Sequence, residues 1–375
     1  MKKNNRYLFV LPTSSIGGAE RVAMNLVLHL LEDKKNFVVI LLLGGGSLGP
    51  WSMLEGSPNL TIEFFANIKE RKGFLMGIQW AMHNKSSFDY AFSTHTHVNA
   101  FVALLRRIKL LKIRNHIARE STVIFDRFFG LKRILMKVLY SFYGNVDLVI
   151  CQTNYMRKRF LAEVSSVDKF RVIQLSNPLN LKYIVSKVGQ EKAPDIESTD
   201  NLTTIVQVGR LVDIKNHVLS LNALKLVAAK RKVKLLIVGD GPMKGALKEL
   251  VDELKLTSSV TFVGQTSNPY SYMAIADIGI LSSKKEGFPN VIIEMMAAGT
   301  KQIISSDCCD GLHDLPSVKI VRQFSAESFA AAILDSIESG ADNRERYRIH
   351  SMERDVATFW EDVISHLDQA KLTNA

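Results

Sequence analysis

Both halves of the chain alternate short apolar runs with longer stretches of helical periodicity, and this alternation restricts the fold more than any other feature. In the first half the candidate strands are RYLFVLP, FVVILLLG, LTIEFF, DYAFST, IRNHIARE, DLVICQT and FRVIQL. Helical patterns lie between them at GGAERVAMNLVLHLLED, FLMGIQWAMHN, HVNAFVALLRR, residues 125–144 and NYMRKRFLAEV. Continuous apolar strands joined by helices belong to parallel sheets covered on both faces. The spacing predicts an α/β, doubly wound fold, whose ligands gather at the carboxyl ends of the strands.

After Asn177-Pro178 the text turns polar, and residues 186–201 read as a linker or surface excursion. Beyond it the alternation returns with TTIVQVGRL, HVLSLNALKLVAAKR, VKLLIVGDG, MKGALKELVDELKL, VTFVGQ, IGILSS, VIIEMMAAG, TKQIISSD and VKIVR, so a second doubly wound domain is expected. A chain of 375 residues is long enough for two such cores. The last helical stretch puts Val356, Phe359, Trp360, Val363 and Ile364 on one face, which must dock on an apolar surface, and the first domain is the expected one.

A formal net charge of +11 calls for an anionic partner: nucleic acid, a membrane surface or a phosphorylated ligand. Residues 104–116 and 125–144 mix Lys and Arg with Leu, Ile, Phe and Tyr at helix-like spacing. That pattern suits a helix lying on anionic lipid, and equally a core-packed helix with a solvated basic face. No apolar run approaches the ~18 residues that span a bilayer. Pro12 and the polar stretch after it cut the first run short of a secretory leader. The expectation is a cytoplasmic protein, peripheral on the inner face of the plasma membrane. Cys151, Cys308 and Cys309 offer neither a disulfide framework nor a metal-ligand spacing, which fits a reducing compartment.

The motif richest in chemistry is KKEGFPNVIIEMMAAGT, directly after the apolar run IGILSS. Glu286, Gly287, Phe288 and Pro289 form a loop leaving a strand, and Asn290 opens a helix expected to carry Glu294 in its first turn. Carboxylates at a sheet's carboxyl edge accept from sugar and ribose hydroxyls, while free helix amides suit a phosphate. The plainer reading is a loop glutamate and a second glutamate favouring the helix dipole. Arg210 and Lys215, in VGRLVDIKNH, would serve a diphosphate or be an ordinary solvated basic loop. Gly17 and Gly18 in TSSIGGAER allow close approach of backbone to an anion, or simply make a turn; that loop matches neither the dinucleotide nor the Walker pattern. His95 and His97, ending DYAFST, could steer a reacting group, but no neighbouring carboxylate or cysteine in the sequence makes them a metal site. Arg119 and Glu120 read as a site pair or as a surface ion pair.

Together GGAER, VGRLVDIKNH, LLIVGDGP, the stretch from FVGQ to AAGT, and IISSD resemble, in order and spacing, the retaining GT-B glycosyltransferases of family 4. The resemblance covers nearly the whole chain. It implies two Rossmann-like domains facing across a cleft: an acceptor-binding domain at 1–176, a nucleotide-sugar domain at 177–352, and a helix at 353–375 returning to the first. The implied activity is transfer of a hexose or N-acetylhexosamine from a nucleotide diphosphate sugar, UDP above all. The implied acceptor is lipid-linked or polysaccharide, in bacterial surface glycan synthesis such as lipopolysaccharide, O-antigen or capsule.

Carried across by position, Glu286 would hold donor-sugar hydroxyls and Glu294 the ribose, with Arg210 and Lys215 on the diphosphate. Gly17 and Gly18 would close over the donor, Gly287, Phe288, Pro289 and Asn290 would line its pocket, and His95 would lie near the reacting sugar, making Glu286 and His95 the catalytic candidates. No cofactor, no metal and no nucleic acid is implied, and no Asp-x-Asp triplet occurs. Two departures from the family pattern, Lys301-Gln302 and CCDGLHD, bear on nucleotide or acceptor preference. An oxidoreductase would want a GxGxxG fingerprint, and the expectation is that the chain has none. A soluble sugar synthase or sugar-nucleotide epimerase on the same fold, and a non-catalytic protein binding membrane or nucleic acid through its basic half, are the other readings.

Overall fold

The computed structural model describes residues 4–15, 17–164, 170–189 and 202–373. The chain forms two compact units, residues 1–180 with 356–375, and residues 181–355. The first unit extends past the expected 176/177 boundary because the following residues stay tied to it. Asn25 Nδ2 donates to the Pro178 carbonyl at 3.0 Å, and the Val356 amide donates to the Leu179 carbonyl at 2.8 Å. Most of the expected linker, residues 186–201, lies outside the described residues.

The first unit carries all seven expected strands: β1 Arg6–Leu11, β2 Phe37–Leu42, β3 Leu60–Phe64, β4 Ser87–Thr94, β5 Lys112–Glu120, β6 Leu148–Cys151 and β7 Arg171–Gln174. They pair in parallel in the order β3-β2-β1-β4-β5-β6-β7. The helices between them are α1 Gly18–Leu31, α2 Glu70–His83, α3 Thr96–Arg107, α4 Ile124–Arg127, α5 Gly130–Ser141 and α6 Asn154–Glu163. Period-two alternation along β1 sends Tyr7, Phe9 and Leu11 into one core with Val22 and Leu26 of α1, and Leu8 and Val10 into the other with Val98 and Val102 of α3. Both faces being covered is why the strands read as unbroken apolar runs.

The helix-like reading of residues 104–116 is overturned. α3 stops at Arg107, Lys109 turns the chain with φ +61°, and β5 starts at Lys112. Burial explains the difference: Leu105, Leu111 and Ile113 all enter the core, whereas one continuous helix would carry some of them to the surface. Arg106 is drawn out of any basic face by its ion pair with Asp147 at 2.5 Å.

The second unit holds α7 Leu181–Lys187, β8 Thr203–Val208, α8 His217–Ala228, β9 Val233–Val238, α9 Lys244–Glu253, β10 Val260–Gly264, α10 Tyr270–Ala274, β11 Ile278–Leu281, α11 Asn290–Ala298, β12 Gln302–Ser306, β13 Val318–Val321, α12 Ala326–Ser339 and α13 Arg344–Met352. Its parallel sheet runs β10-β9-β8-β11-β12-β13. α12 was not among the expected elements, though its ends carry ordinary signals. Ser325 Oγ accepts from the Ser328 amide at 3.2 Å, and Gly340 closes the helix in the left-handed region.

The last helix, α14 Val356–Thr373, joins the first unit as expected. Its Trp360 ring stands edge-on to Tyr7 and Tyr90, with centroids at 5.8 and 5.6 Å. No helix among the described residues is long and apolar enough to cross a membrane.

Candidate functional site

In each unit the strand order reverses once, between β1 and β4 and again between β8 and β11. Loops leaving the two strands at such a point diverge to opposite faces and open a crevice at the carboxyl edge. The candidate residues sit on these loops. Gly17 and Gly18 follow β1 and His95 follows β4; Arg210 and Lys215 follow β8, and Glu286 to Glu294 follow β11.

In the second unit, Lys215 Nζ meets Glu286 Oε1 at 2.5 Å, with both side chains largely buried. Ser282, just beyond β11, fastens the Lys215 loop: its hydroxyl lies 3.0 and 2.9 Å from the Lys215 and Asn216 carbonyls and accepts from Gln207 Nε2 and Ser220 Oγ, both at 2.9 Å. Asn216 turns with φ +51° so that α8 can start immediately. Arg210 is exposed at the head of the same loop. The glycines of VGDGP do more than turn. A Cβ on Gly239 would stand 2.0 Å from the Gly209 carbonyl oxygen, and one on Gly241 2.5 Å from that of Leu211, so the β8 and β9 loops approach backbone to backbone.

The Glu286 amide donates to the Cys308 carbonyl at 3.0 Å, so CCDGLHD borders the loop. Lys301-Gln302 opens β12 at the other edge, where Lys301 pairs with Asp277 at 2.8 Å, and this departure leaves the carboxyl edge untouched. Gly287 and Phe288 are half-buried, Pro289 is buried and precedes α11, and Asn290 is its first residue. Glu294 is buried and lies beyond the first turn of α11, which contains no acid. The helix-dipole reading of Glu294 therefore falls, since that effect fades within the first turn.

Sequence reading missed Arg354, whose guanidinium carbon lies 5.0 Å from the Phe288 ring centroid. Burial pulls its pKa down to about 10. It stands far along the chain from Phe288 and no local spacing announces it.

In the first unit, Gly17 precedes α1 and its amide donates to Glu20 Oε2 at 3.0 Å; Gly18, also exposed, is the first residue of the helix. A Cβ on Gly17 would sit 2.9 Å from that carboxylate oxygen. Glu20, buried, also approaches His95 Nε2 at 3.7 Å. An acid three residues after the cap is a helix-start signal that could have singled it out. His95 holds φ +73°, an uncommon conformation for a side chain of its size, and burial lowers its pKa although Glu20 pulls the other way. A neutral imidazole results, able to donate or accept. His97 meets Glu70 at 2.5 Å. Carboxylates absent from the histidines' sequence neighbourhood thus arrive from α1 and α2, yet no group of three or more metal-ligating side chains forms among the described residues.

Arg119 and Glu120 are both buried and are no surface pair. Adjacent on β5, they point to opposite faces. Arg119 donates to Gln152 and Asn177, while Glu120 accepts from Thr96, Asn99, Tyr140 and Tyr143. The expectation that no GxGxxG occurs is wrong: Gly44–Gly49 has that spacing, but after β2 and leading into a short 3-10 helix, so it opens no α-helix to a dinucleotide. Gly45, at φ +139°, is needed there because a Cβ would strike Ser14.

Residues 189–352 match the family described as glycosyl transferases group 1. The chain carries a glycosyl transferases group 1 domain. That domain coincides with the second unit and contains Arg210, Lys215, Glu286 and Glu294. Over 220 residues the chain is 36% identical to an N-acetylgalactosamine-N,N'-diacetylbacillosaminyl-diphospho-undecaprenol 4-alpha-N-acetylgalactosaminyltransferase of Campylobacter jejuni, covering 57% of each protein. It is 27% identical over 319 residues to the putative glycosyltransferase EpsF of Bacillus subtilis, covering 80% of this chain and 79% of that one. The chain spans about half the length of the first curated relatives it matches. Among solved structures, HepE of Anabaena in complex with UDP superposes with a TM-score of 0.75 at 18% identity, over 97% of this chain and all of that one. At that identity the likeness is one of fold, and the chain has the GT-B fold of two Rossmann-like halves.

Proposed function

We propose that the chain transfers a hexose or N-acetylhexosamine from a UDP-sugar, with retention of configuration, to a lipid-linked or polysaccharide acceptor in bacterial surface glycan synthesis. The observation that carries this reading is the Lys215–Glu286 pair at the switch point between β8 and β11, with Arg210 on the first of these loops and Glu294 in the helix that follows the second. The names of the relatives favour it: one acts on a diphospho-undecaprenol-linked glycan, and HepE was crystallised with UDP.

On this reading Arg210 and Lys215 bind the diphosphate, Glu294 the ribose hydroxyls and Glu286 the donor-sugar hydroxyls, while Gly17 and Gly18 close over the donor. As the glycosidic bond lengthens, positive charge grows on the sugar and negative charge on the departing phosphate. Cations already fixed beside that phosphate stabilise the transition state without reorganising, so the step requires no metal. His95, neutral and half-buried, positions the transferring sugar. Lys215 exchanges Glu286 for the diphosphate when the donor arrives, which frees the carboxylate for sugar hydroxyls. The acceptor's lipid places the protein in the cytoplasm against the anionic inner face of the membrane.

A thermal-shift panel of UDP-, GDP- and ADP-sugars tests the donor site. A UDP-sugar at 100-fold excess over its Kd should stabilise the protein by about 2.7 kcal/mol. The shift should vanish in Lys215→Ala and Glu294→Ala. Equal shifts in the wild type and both variants would remove the assignment.

A further inference from the structure

The surface built by α5 is aliphatic and open. Leu131, Ile134, Leu135 and Val138 are 85%, 59%, 55% and 50% exposed, and Phe129, just before the helix, is 72% exposed. At about 100° per residue these four share one stripe. On the opposite side Tyr140 is buried in the core with Phe125, Tyr143 and Phe160, and Arg133 and Met136 are half-buried beside it. A surface helix ordinarily turns its aliphatic face inward. α5 does largely the reverse, anchoring itself through Tyr140 and Leu139 and presenting Leu131, Ile134, Leu135 and Val138 outward.

The charges follow the same geometry. α5 contains no acid, and at the same angular step Lys132 and Lys137 fall on the two flanks of the stripe. The nearby acids are already committed, Glu163 to Arg133 and Lys137 and Asp126 to Arg159. Arg127, Lys132 and Lys158 are exposed, with no acidic partner among the described residues. An aliphatic stripe flanked by lysines matches the boundary of an anionic bilayer, where aliphatic side chains enter the acyl region and lysine stems reach back to phosphate. A second copy of the chain fits less well, because a symmetric contact through this face would bring the two sets of lysines together.

We propose that α5 and Phe129 form the docking surface of the first unit for anionic lipid, with Leu131, Ile134, Leu135 and Val138 inserted below the headgroups, Lys132 on lipid phosphate, and Lys137 exchanging Glu163, which keeps Arg133, for a second phosphate. This rests on the membrane reading above and names the side chains that make the contact. The test is co-sedimentation of the whole chain with vesicles of phosphatidylcholine alone or mixed with phosphatidylglycerol, at low and high salt.

Wild type should bind the mixed vesicles at low salt, and roughly tenfold more weakly to phosphatidylcholine or at high salt. The double variant Leu131→Ser, Leu135→Ser should lose roughly tenfold or more in vesicle binding. It should keep its melting temperature and its UDP-sugar shift, because both side chains are exposed. Lys132→Gln with Lys137→Gln should weaken binding only to anionic vesicles. Absent vesicle binding by wild type, or unchanged binding by the serine variant, would overturn the proposal. So would a concentration-dependent dimer that the serine variant abolishes. A missing UDP-sugar shift in the wild type, with vesicle binding intact, would instead sink the donor reading and leave this surface standing.

Discussion

Lys215 and Glu286 come from loops after two different strands and meet because β8 and β11 are neighbours in the sheet. Elsewhere single residues are under equally sharp constraint. His116 is fully buried beside Ser93, and burial, with Arg106 adding to it, pushes its pKa down to about 3; burial and Lys215 take His217 down to about 4. A histidine whose pKa is depressed by folding contributes stability above its unfolded value near 6.5 and loses it as pH falls toward the folded value. Between pH 7 and pH 5, His116 alone should cost the first unit about 2 kcal/mol. Urea denaturation at the two pH values checks this, and His116→Gln should flatten the dependence. Equal wild-type stability at both would show the imidazole is not held neutral. At Gly239 an alanine would meet both a left-handed φ of +141° and the Gly209 carbonyl oxygen. Gly239→Ala should therefore destabilise the second unit by about 3 kcal/mol or more and abolish donor binding, measured by denaturation and thermal shift.

At the scale of elements, what could be read in the sequence depended on how local its cause was. Strands were legible because burial on both faces writes itself as a continuous apolar run, and FVVILL or VKLLIV can hardly be anything else. Residues 104–116 misled because Lys and Arg mixed with Leu and Ile read as one amphipathic stretch, whereas Leu105 is buried by α3, Ile113 by β5 and Leu111 by the turn between them. The site loops were legible as strand-end loops, and a doubly wound order brings such loops together. Arg354 was not, since its partner Phe288 is distant in the chain. Stacking of this kind is worth ~1 kcal/mol when partly desolvated. Arg354→Ala should thus loosen the loop from Glu286 to Pro289 and raise the donor KM about fivefold, with Arg354→Lys recovering part of it, in steady-state kinetics. An unchanged KM would mean the loop holds itself.

For the whole molecule, the first unit is completed by the last helix of the chain. Val356, Phe359, Trp360, Val363 and Leu367 are buried in the core that contains Tyr7, Phe9 and Leu26. Deleting residues 356–375 should cost the first unit several kcal/mol, at about 1.5–3 kcal/mol for each large apolar side chain lost from a core. Its urea transition should shift while that of the second unit stays in place, and a single unshifted transition would argue against this docking. The claim on which the rest depends is that the carboxyl edge between β8 and β11 holds the nucleotide diphosphate. A crystal structure with a bound UDP-sugar measures this directly. Diphosphate oxygens within hydrogen-bonding distance of Arg210 and Lys215, ribose hydroxyls on Glu294 and an opened Lys215–Glu286 pair are the expected result; a nucleotide bound away from both loops, with that pair still closed, would contradict it.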